Sequence, residues 1–458
     1  MELDQAQQQR QRIERQLAKE LNISVERVRT VIHMLDEGNT IPFIARYRKE
    51  VTGEMDETQL RELSERLQYL RNLEERKQEV IRLIDEQGKL TEDLQQAIVK
   101  ADKLQVVEDL YRPYRQKRKT RASVAKEKGL GPLAEWLLSQ PASGNPEEEA
   151  GKYVDLEKGV ETAQDALQGA MDILAEQFSD DPHIRAWVRD FSFNQGMVVT
   201  EAKDPETESV YEMYYEYKEP VRRLPPHRIL AINRGEREEI LKVHIQVPED
   251  RIFEHMRRRI IKGSSPVRPI LESVIEDAYK RLIAPSIERD VRNELTEKAE
   301  EQAIKIFAEN LRNLLLQPPV HGKTVLGADP AFKTGCKLAV VDETGKVLDI
   351  AVAFPTAPHY RTDEAEQIFR GLIDKHNVNV IAIGNGTASR ETEQFVSDLI
   401  ARMPERDLQY IIVNEAGASV YSASELAREE FPDFDVSERS AVSIARRLQD
   451  PLAELVKI

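Results

Sequence analysis

The sequence predicts a multidomain chain, mainly α over residues 1–323 and α/β over residues 324–458, and three observations predict it. Residues 1–323 are rich in Leu, Glu, Gln, Arg and Lys, with apolar residues recurring at helical spacing. Residues 324–354 hold three β-rich runs: Val325-Leu326-Gly327-Ala328 ending on Asp329-Pro330, then residues 336–341 and 346–354, joined by the hairpin turn Asp342-Glu343-Thr344-Gly345. Helix and strand signals then alternate, with helices over 361–376, 387–402 and 437–456 and strands over 378–383 and 410–413. Three antiparallel strands followed by alternating helices and strands is the ribonuclease H-like order, a mixed sheet with flanking helices. Its first, fourth and fifth strands run parallel, and ligands bind at their carboxyl ends. That rule gathers Asp329, Gly384-Asn385-Gly386 and Asn414-Glu415 into one crevice.

Composition sets the outer bounds. The 458 residues suffice for two or three domains, read here as 1–202, 203–323 and 324–458. One cysteine, Cys336, excludes an intrachain disulfide, and with no long apolar run the expectation is a cytoplasmic protein without a membrane partner. The net charge of −16 excludes a globally basic nucleic-acid binder. Residues 324–458 carry 14 Lys and Arg against 22 Asp and Glu, so half of that charge lies there and neither part is basic. Any nucleic-acid contact must come from local patches.

In chain order, Ile13, Leu17 and Leu21 mark a first helix, and Ser24 caps a second that carries Val28, Val31, Ile32 and Leu35. Gly38-Asn39 stops it, which makes the pair a helix-turn-helix-like unit whose Glu26, Arg27, Arg29 and Thr30 are placed either to face DNA or simply to coat a helix pair. GNTIPFIARYRKEVTG, residues 38–53, reads as a compact corner anchored by Phe43, Ile44 and Tyr47. Its Arg46, Arg48 and Lys49 point outward, towards phosphates or towards neighbouring helices. A long helix follows over 56–87, then a short helical stretch over 94–107.

YRPYRQKRKTR, residues 111–121, sets Arg112, Arg115, Lys117, Arg118, Lys119 and Arg121 around Tyr111 and Tyr114. Clustered cations with aromatics suit a nucleic-acid backbone, because neutralised phosphates release counterions; a solvated loop balancing an acidic surface is the alternative. Helix resumes over 122–139 with Trp136 in the core, and again over 147–178 and after Asp181-Pro182. Tyr211, Tyr214, Tyr215 and Tyr217 read as packing residues, residues 225–245 as turn, helix and strand, and residues 286–316 as one long helix closed by Pro318-Pro319. Arg257, Arg258, Arg259 and Lys262 sit at a helix end, where the dipole alone favours cations.

GNTIPFIARYRKEVTG, PHRILAINRGE, GADPAFKTG, IGNGTASRETE, VNEAGASVYSAS and SIARRLQDPLAELVKI together resemble the bacterial Tex family of transcription accessory proteins, from near the N-terminus to the last residue. The resemblance implies a helical N-terminal region with a helix-turn-helix portion, a YqgF-type (Holliday-junction-resolvase-like) ribonuclease H domain, binding to RNA and DNA, and similarity to a eukaryotic elongation factor. Helix-hairpin-helix modules and an RNA-binding OB-fold follow in the family, so a chain stopping at Ile458 is expected to be an N-terminal fragment.

Nucleases of this fold hold two divalent metals about 3.5–4 Å apart with three or four carboxylates. Asp329 matches the first-strand aspartate of YqgF-type domains, and Glu415 matches the acid after the fifth strand. Where the pattern on the last helix has a third acid, this sequence has Ser440 in Ser440-Ala441-Val442-Ser443-Ile444-Ala445. Asp450 lies nearly three turns on, and Gln449-Asp450-Pro451 ends or kinks the helix. The expectation is therefore a nucleic-acid-associated scaffold partnered with RNA, DNA, or the transcription or translation machinery. Against it stand a nuclease or junction resolvase using Asp329 and Glu415 with Mg²⁺ or Mn²⁺, and a pure protein-interaction module. Asp329 also reads as a plain turn-capping residue, and Gly384-Asn385-Gly386-Thr387 reads equally as a phosphate cradle or a tight strand-to-helix turn. No Gly-Lys-Ser/Thr ending marks a P-loop, residues 324–458 hold one copy of the fold where actin-like ATPases need two, and no His pair at i,i+4 suggests zinc.

Overall fold

The computed structural model describes residues 2–116 and 118–458, in two compact units, Met1–Glu300 and Glu301–Ile458. Lys117 of the basic run lies outside the described residues.

In the first unit the helices Glu2–Glu20, Val25–Asp36 and Ile41–Tyr47 lead into the long helix Glu57–Asp85. Each of the later starts is chemically marked: Ser24 and Thr40 accept backbone N–H groups through their hydroxyls, and Asp56 forms a capping box with Gln59. Leu60, Leu63, Leu67 and Leu70 recur every three or four residues, so one stripe faces inward and is buried with Leu17, Val28, Ile32 and Ile44. Tyr47, expected as an anchor, is instead 65% exposed, because the Ile41–Tyr47 helix spends its inward positions on Ile44 and Ala45. The expected stretch 94–107 is two helices, Glu92–Lys100 and Leu104–Tyr111. Residues 122–139 are likewise split into Arg121–Glu127 and Gly131–Ser139, where Gly129 turns the chain at φ +83 and Pro132 sits in the next first turn.

A second core in this unit packs the helices Ala163–Asp180 and Pro182–Gln195 with a small sheet of β1 (Met197–Ala202), β2 (Glu216–Pro220) and β3 (Leu241–Gln246), ordered β2-β1-β3 and antiparallel. Trp136 is half-buried against it. Tyr211 and Tyr214 are buried, as the packing reading expects. Buried charges join the two cores. Arg185, 1% exposed, donates to Asp109 at 3.1 Å and to Ser286, while Arg189 donates to the other Asp109 oxygen at 2.7 Å and both reach Asp290. Removing one member of such a network leaves a desolvated charge and costs about 3–5 kcal/mol. The long helix Ala284–Leu315 is preceded by a π-helical stretch, Ala278–Ile283, that sequence periodicity does not reveal.

The second unit holds a five-stranded sheet of β4 (Val325–Asp329), β5 (Cys336–Val341), β6 (Val347–Ala353), β7 (Val380–Gly384) and β8 (Gln409–Val413), ordered β6-β5-β4-β7-β8. β4 pairs antiparallel with β5 and parallel with β7, and β7 parallel with β8, which is the topology the strand signals predict. The helices Thr362–His376 and Ser389–Ala401 cover one face, around Phe369 and Phe395. Val436–Gln449 covers the other, around Ala441, Ile444 and Ala445. Gly327 permits that last approach: a Cβ there would stand 2.3 Å from the Ala441 carbonyl oxygen. The helix expected over 437–456 breaks at Asp450, whose carboxylate caps the short helix Pro451–Leu455. Two short helices, Ala418–Ala423 and Glu425–Glu430, fill a stretch with no predicted element. Among the described residues no helix is long and apolar enough to cross a membrane.

Candidate functional site

Asp329 closes β4, and Glu415 follows β8 by two residues. Parallel pairing of both strands with β7 brings them to one end of the sheet. Ser440, on the first turns of the Val436–Gln449 helix and 8% exposed, stands close enough to the Asp329 carboxyl to lower its proton affinity. Burial, against the pull of Ser440 and Lys337 and with the help of the Glu415 charge, brings the Asp329 carboxyl up to about 6. Desolvation dominates because the Asp329 side chain stands between the sheet and that helix with one neutral partner.

Glu415 is held by its loop. Its backbone N–H donates to Asn385 Oδ1 at 3.0 Å, and Arg447, 3% exposed, donates from Nη1 to the carbonyls of Asn414 (2.9 Å) and Ala416 (2.7 Å) on either side of it. The carboxylate lies over the turn after β7: a Cβ on Gly386 would stand 1.8 Å from its Oε1, and one on Gly384 2.7 Å from its Oε2. These glycines thus make room for the chain's own carboxylate, which fills the space the sequence offered to a phosphate. Arg439 donates to the carbonyls of Phe431 and Ser422, and Arg446 to that of Gly345, so both are engaged in holding loops. Glu438 closes the capping box of its helix with Asp435.

Two carboxylates and a serine do not fit a two-metal centre, which takes three or four carboxylates. Among the described residues no group of three or more His, Cys, Asp and Glu is placed to hold a metal ion. Cys336 is buried, and burial raises its thiol well above the usual range, so it stays protonated.

The basic residues fall into two sets. Arg112 pairs with Asp180 at 3.2 Å, next to the buried Asp109 network, and Tyr111 is buried beneath the Arg76 guanidinium. Arg115, Arg118, Lys119 and Arg121 are exposed, with a loose 3.9 Å approach of Lys119 to Glu127. Arg46, Arg48 and Lys49 are exposed around Tyr47, with the Arg48 guanidinium over the Phe43 ring at 5.2 Å. On the Val25–Asp36 helix, Arg29 bonds the buried Glu14 at 3.0 Å, and Arg27 lies against Gly53, where a Cβ would come within 2.4 Å of its guanidinium. The approach of Ser440 to Asp329 and the exposure of Tyr47 escape periodicity. Only the position of Ser440 in the last-helix pattern signals the first, and nothing in the sequence signals the second.

Three family models match the chain: a Tex-like protein N-terminal domain over residues 11–85, a Tex central region-like segment over 141–307, and a Tex protein YqgF-like domain over 323–449. Among similar proteins, uncharacterized protein YdcI of Bacillus subtilis (strain 168) is 59% identical over 97% of this chain, and transcriptional accessory protein Tex of Neisseria gonorrhoeae is 46% identical over 97%. S1 RNA-binding domain-containing protein 1 of Homo sapiens is 36% identical over 96%. The chain spans 62%, 59% and 46% of the lengths of these three relatives.

Proposed function

This chain belongs to the Tex family and carries its N-terminal, central and YqgF-like regions, and we propose that it is a nucleic-acid-binding transcription accessory protein whose ribonuclease H-like domain is a scaffold and not a nuclease. One observation carries the second half of this reading: Ser440 stands where a third acid would complete the site, beside an Asp329 whose proton affinity burial raises. Two carboxylates leave the charge of a second cation unbalanced, and a hydroxyl adds none.

Nucleic-acid binding rests on two clusters of exposed cations. Arg115, Arg118, Lys119 and Arg121 form one, and Arg46, Arg48 and Lys49 beside the exposed ring of Tyr47 form the other. The second combines charge for phosphates with an aromatic face for a base, the pairing that single strands require. Arg112 contributes through its bond to Asp180, holding the base of the first cluster. RNA or DNA is the ligand in this reading, with the transcription or translation machinery as protein partner and the cytoplasm as its place. The helix-turn-helix-like start and the division into 1–202, 203–323 and 324–458 belong to the same proposal.

The nuclease reading draws on the meeting of Asp329 and Glu415 at one sheet end. Incubation of the chain with branched DNA or with RNA in Mg²⁺ or Mn²⁺ separates the two. The scaffold reading expects no cleavage, and cleavage abolished by Asp329→Asn overturns it. A chain that binds neither RNA nor DNA at low salt leaves the protein-interaction module as the surviving reading.

A further inference from the structure

In the first unit, a cavity of about 470 Å³ opens between the Pro182–Gln195 helix, β3 and the junction of the π-helical stretch with the long helix. Two lining side chains are almost wholly buried, Tyr279 at 2% exposed and Ser192 at 5%, and among the described residues no hydrogen bond engages either hydroxyl. Neither oxygen is sealed off from solvent, so both stand open at the cavity, where a ligand group can take the place of water.

The two carboxylates that line the cavity make it acidic. Glu249 and Glu288 line it, and both act on the Tyr279 hydroxyl, holding its proton on together with burial. Glu288 accepts one bond from the Ile245 N–H at 2.9 Å, which fixes its carboxylate and leaves its second oxygen for a ligand. Among the described residues lining the cavity, His244 alone can carry positive charge; Lys280, outside the lining, is bonded to Glu276 and also feels Glu249. Val188, Ile245 and Ile287 supply an apolar wall. The π-helical stretch Ala278–Ile283 carries Tyr279 into place; such insertions of one residue into the helical repeat recur at functional sites.

An anion here would meet two carboxylates, and a neutral apolar ligand would desolvate them without compensation. We propose that this cavity binds an alkylammonium or guanidinium group, its head between Glu249, Glu288 and the two free hydroxyls and its aliphatic stem along Val188, Ile245 and Ile287. A charged donor matches carboxylate acceptors with the stronger class of hydrogen bond, and the Tyr279 ring adds attraction for a cation. That chemistry occurs in free polyamines and in the lysine or arginine side chain of a protein partner.

Calorimetric titration of the full chain at low salt with spermidine, and separately with capped lysine and capped arginine amides, tests this. One-to-one binding of at least one probe is expected, weakened about tenfold or more by Glu288→Gln and several-fold by Tyr279→Phe. Glu294→Gln, on the exposed face of the same long helix, leaves it unchanged. Spermidine alone binding identifies a free polyamine, and the capped amino acids binding identifies a partner's side chain. Melting temperatures of the two cavity variants equal to the parent's assign any weakening to the site and not to a damaged fold. If no probe binds one-to-one at millimolar concentration, or if Glu288→Gln and Tyr279→Phe bind as the parent does, the proposal is wrong.

Discussion

Replacing Asp329 with Asn should stabilise the second unit at alkaline pH and give no gain at acid pH. Asp329 titrates near 6 in the folded chain against 3.8 unfolded, so the folded state holds the proton more tightly. A raised carboxyl of this kind contributes stability below pH 3.8 that is lost as pH rises through 6. At about 1.4 kcal/mol for each tenfold change in proton affinity, the ionised group at pH 8 costs about 3 kcal/mol. Asn keeps the shape of the carboxyl without its charge, and its unpartnered amide N–H gives back about 1 kcal/mol. The net gain is therefore about 2 kcal/mol at pH 8, roughly 4–8 °C in the melting of a unit of this size. The same linkage shifts the balance by about 2.5 kcal/mol by pH 4, leaving the variant about 0.5 kcal/mol below the parent, so the two should melt within about 2 °C of each other. Calorimetry of the full chain at the two pH values reads this directly. A variant less stable than the parent at pH 8, or a difference independent of pH, would refute the claim that burial of Asp329 is what sets its titration.

Ser440→Asp adds a third carboxylate beside Asp329 and Glu415; it should lower stability by about 1–3 kcal/mol without metal and make the melting temperature rise with Mn²⁺, where the parent shows little response. Changing Arg115, Arg118, Lys119 and Arg121 together to Ala should flatten the slope of log affinity against log salt for single-stranded RNA or DNA by about one for each phosphate no longer neutralised, measured by fluorescence anisotropy; an unchanged slope makes these residues surface decoration. Two glycines next to the site should behave differently on denaturant unfolding. Gly327→Ala, aimed at a backbone carbonyl 2.3 Å away, should cost about 1–3 kcal/mol or more, whereas Gly386→Ala meets only the end of the Glu415 side chain, which can swing aside for well under that cost.

The sheet was legible because its signals are local. Alternating β-rich runs, the Asp342–Gly345 turn with Gly345 at φ +83, and helices of regular period each fix their own element, and their succession is that of the ribonuclease H-like sheet, whose strand order the structure has. The places where the sequence misleads are those where the packing of a short helix, a left-handed turn or a contact from far along the chain overrides the local pattern. Tyr47 looks like an anchor until the inward positions of its helix are taken by Ile44 and Ala45. The 122–139 run looks like one helix until Gly129 takes a left-handed turn. The π-helical stretch has ordinary helical composition, and what its register places, the Tyr279 side chain facing the cavity, lies against β3 and a helix far off in the sequence.

Residue order alone supplies the list of chemical groups: which acids stand at strand ends, that serine and not aspartate occupies position 440, and where cations cluster. The state of those groups comes from the folded chain. Burial between β4 and the Val436–Gln449 helix lifts Asp329 towards neutrality, Glu415 fills the glycine turn after β7, and Arg112 and Arg447 are spent on holding neighbours. The reason is that charge and proton affinity depend on solvation and on partners from remote parts of the chain, which come together only when the helices and strands have packed.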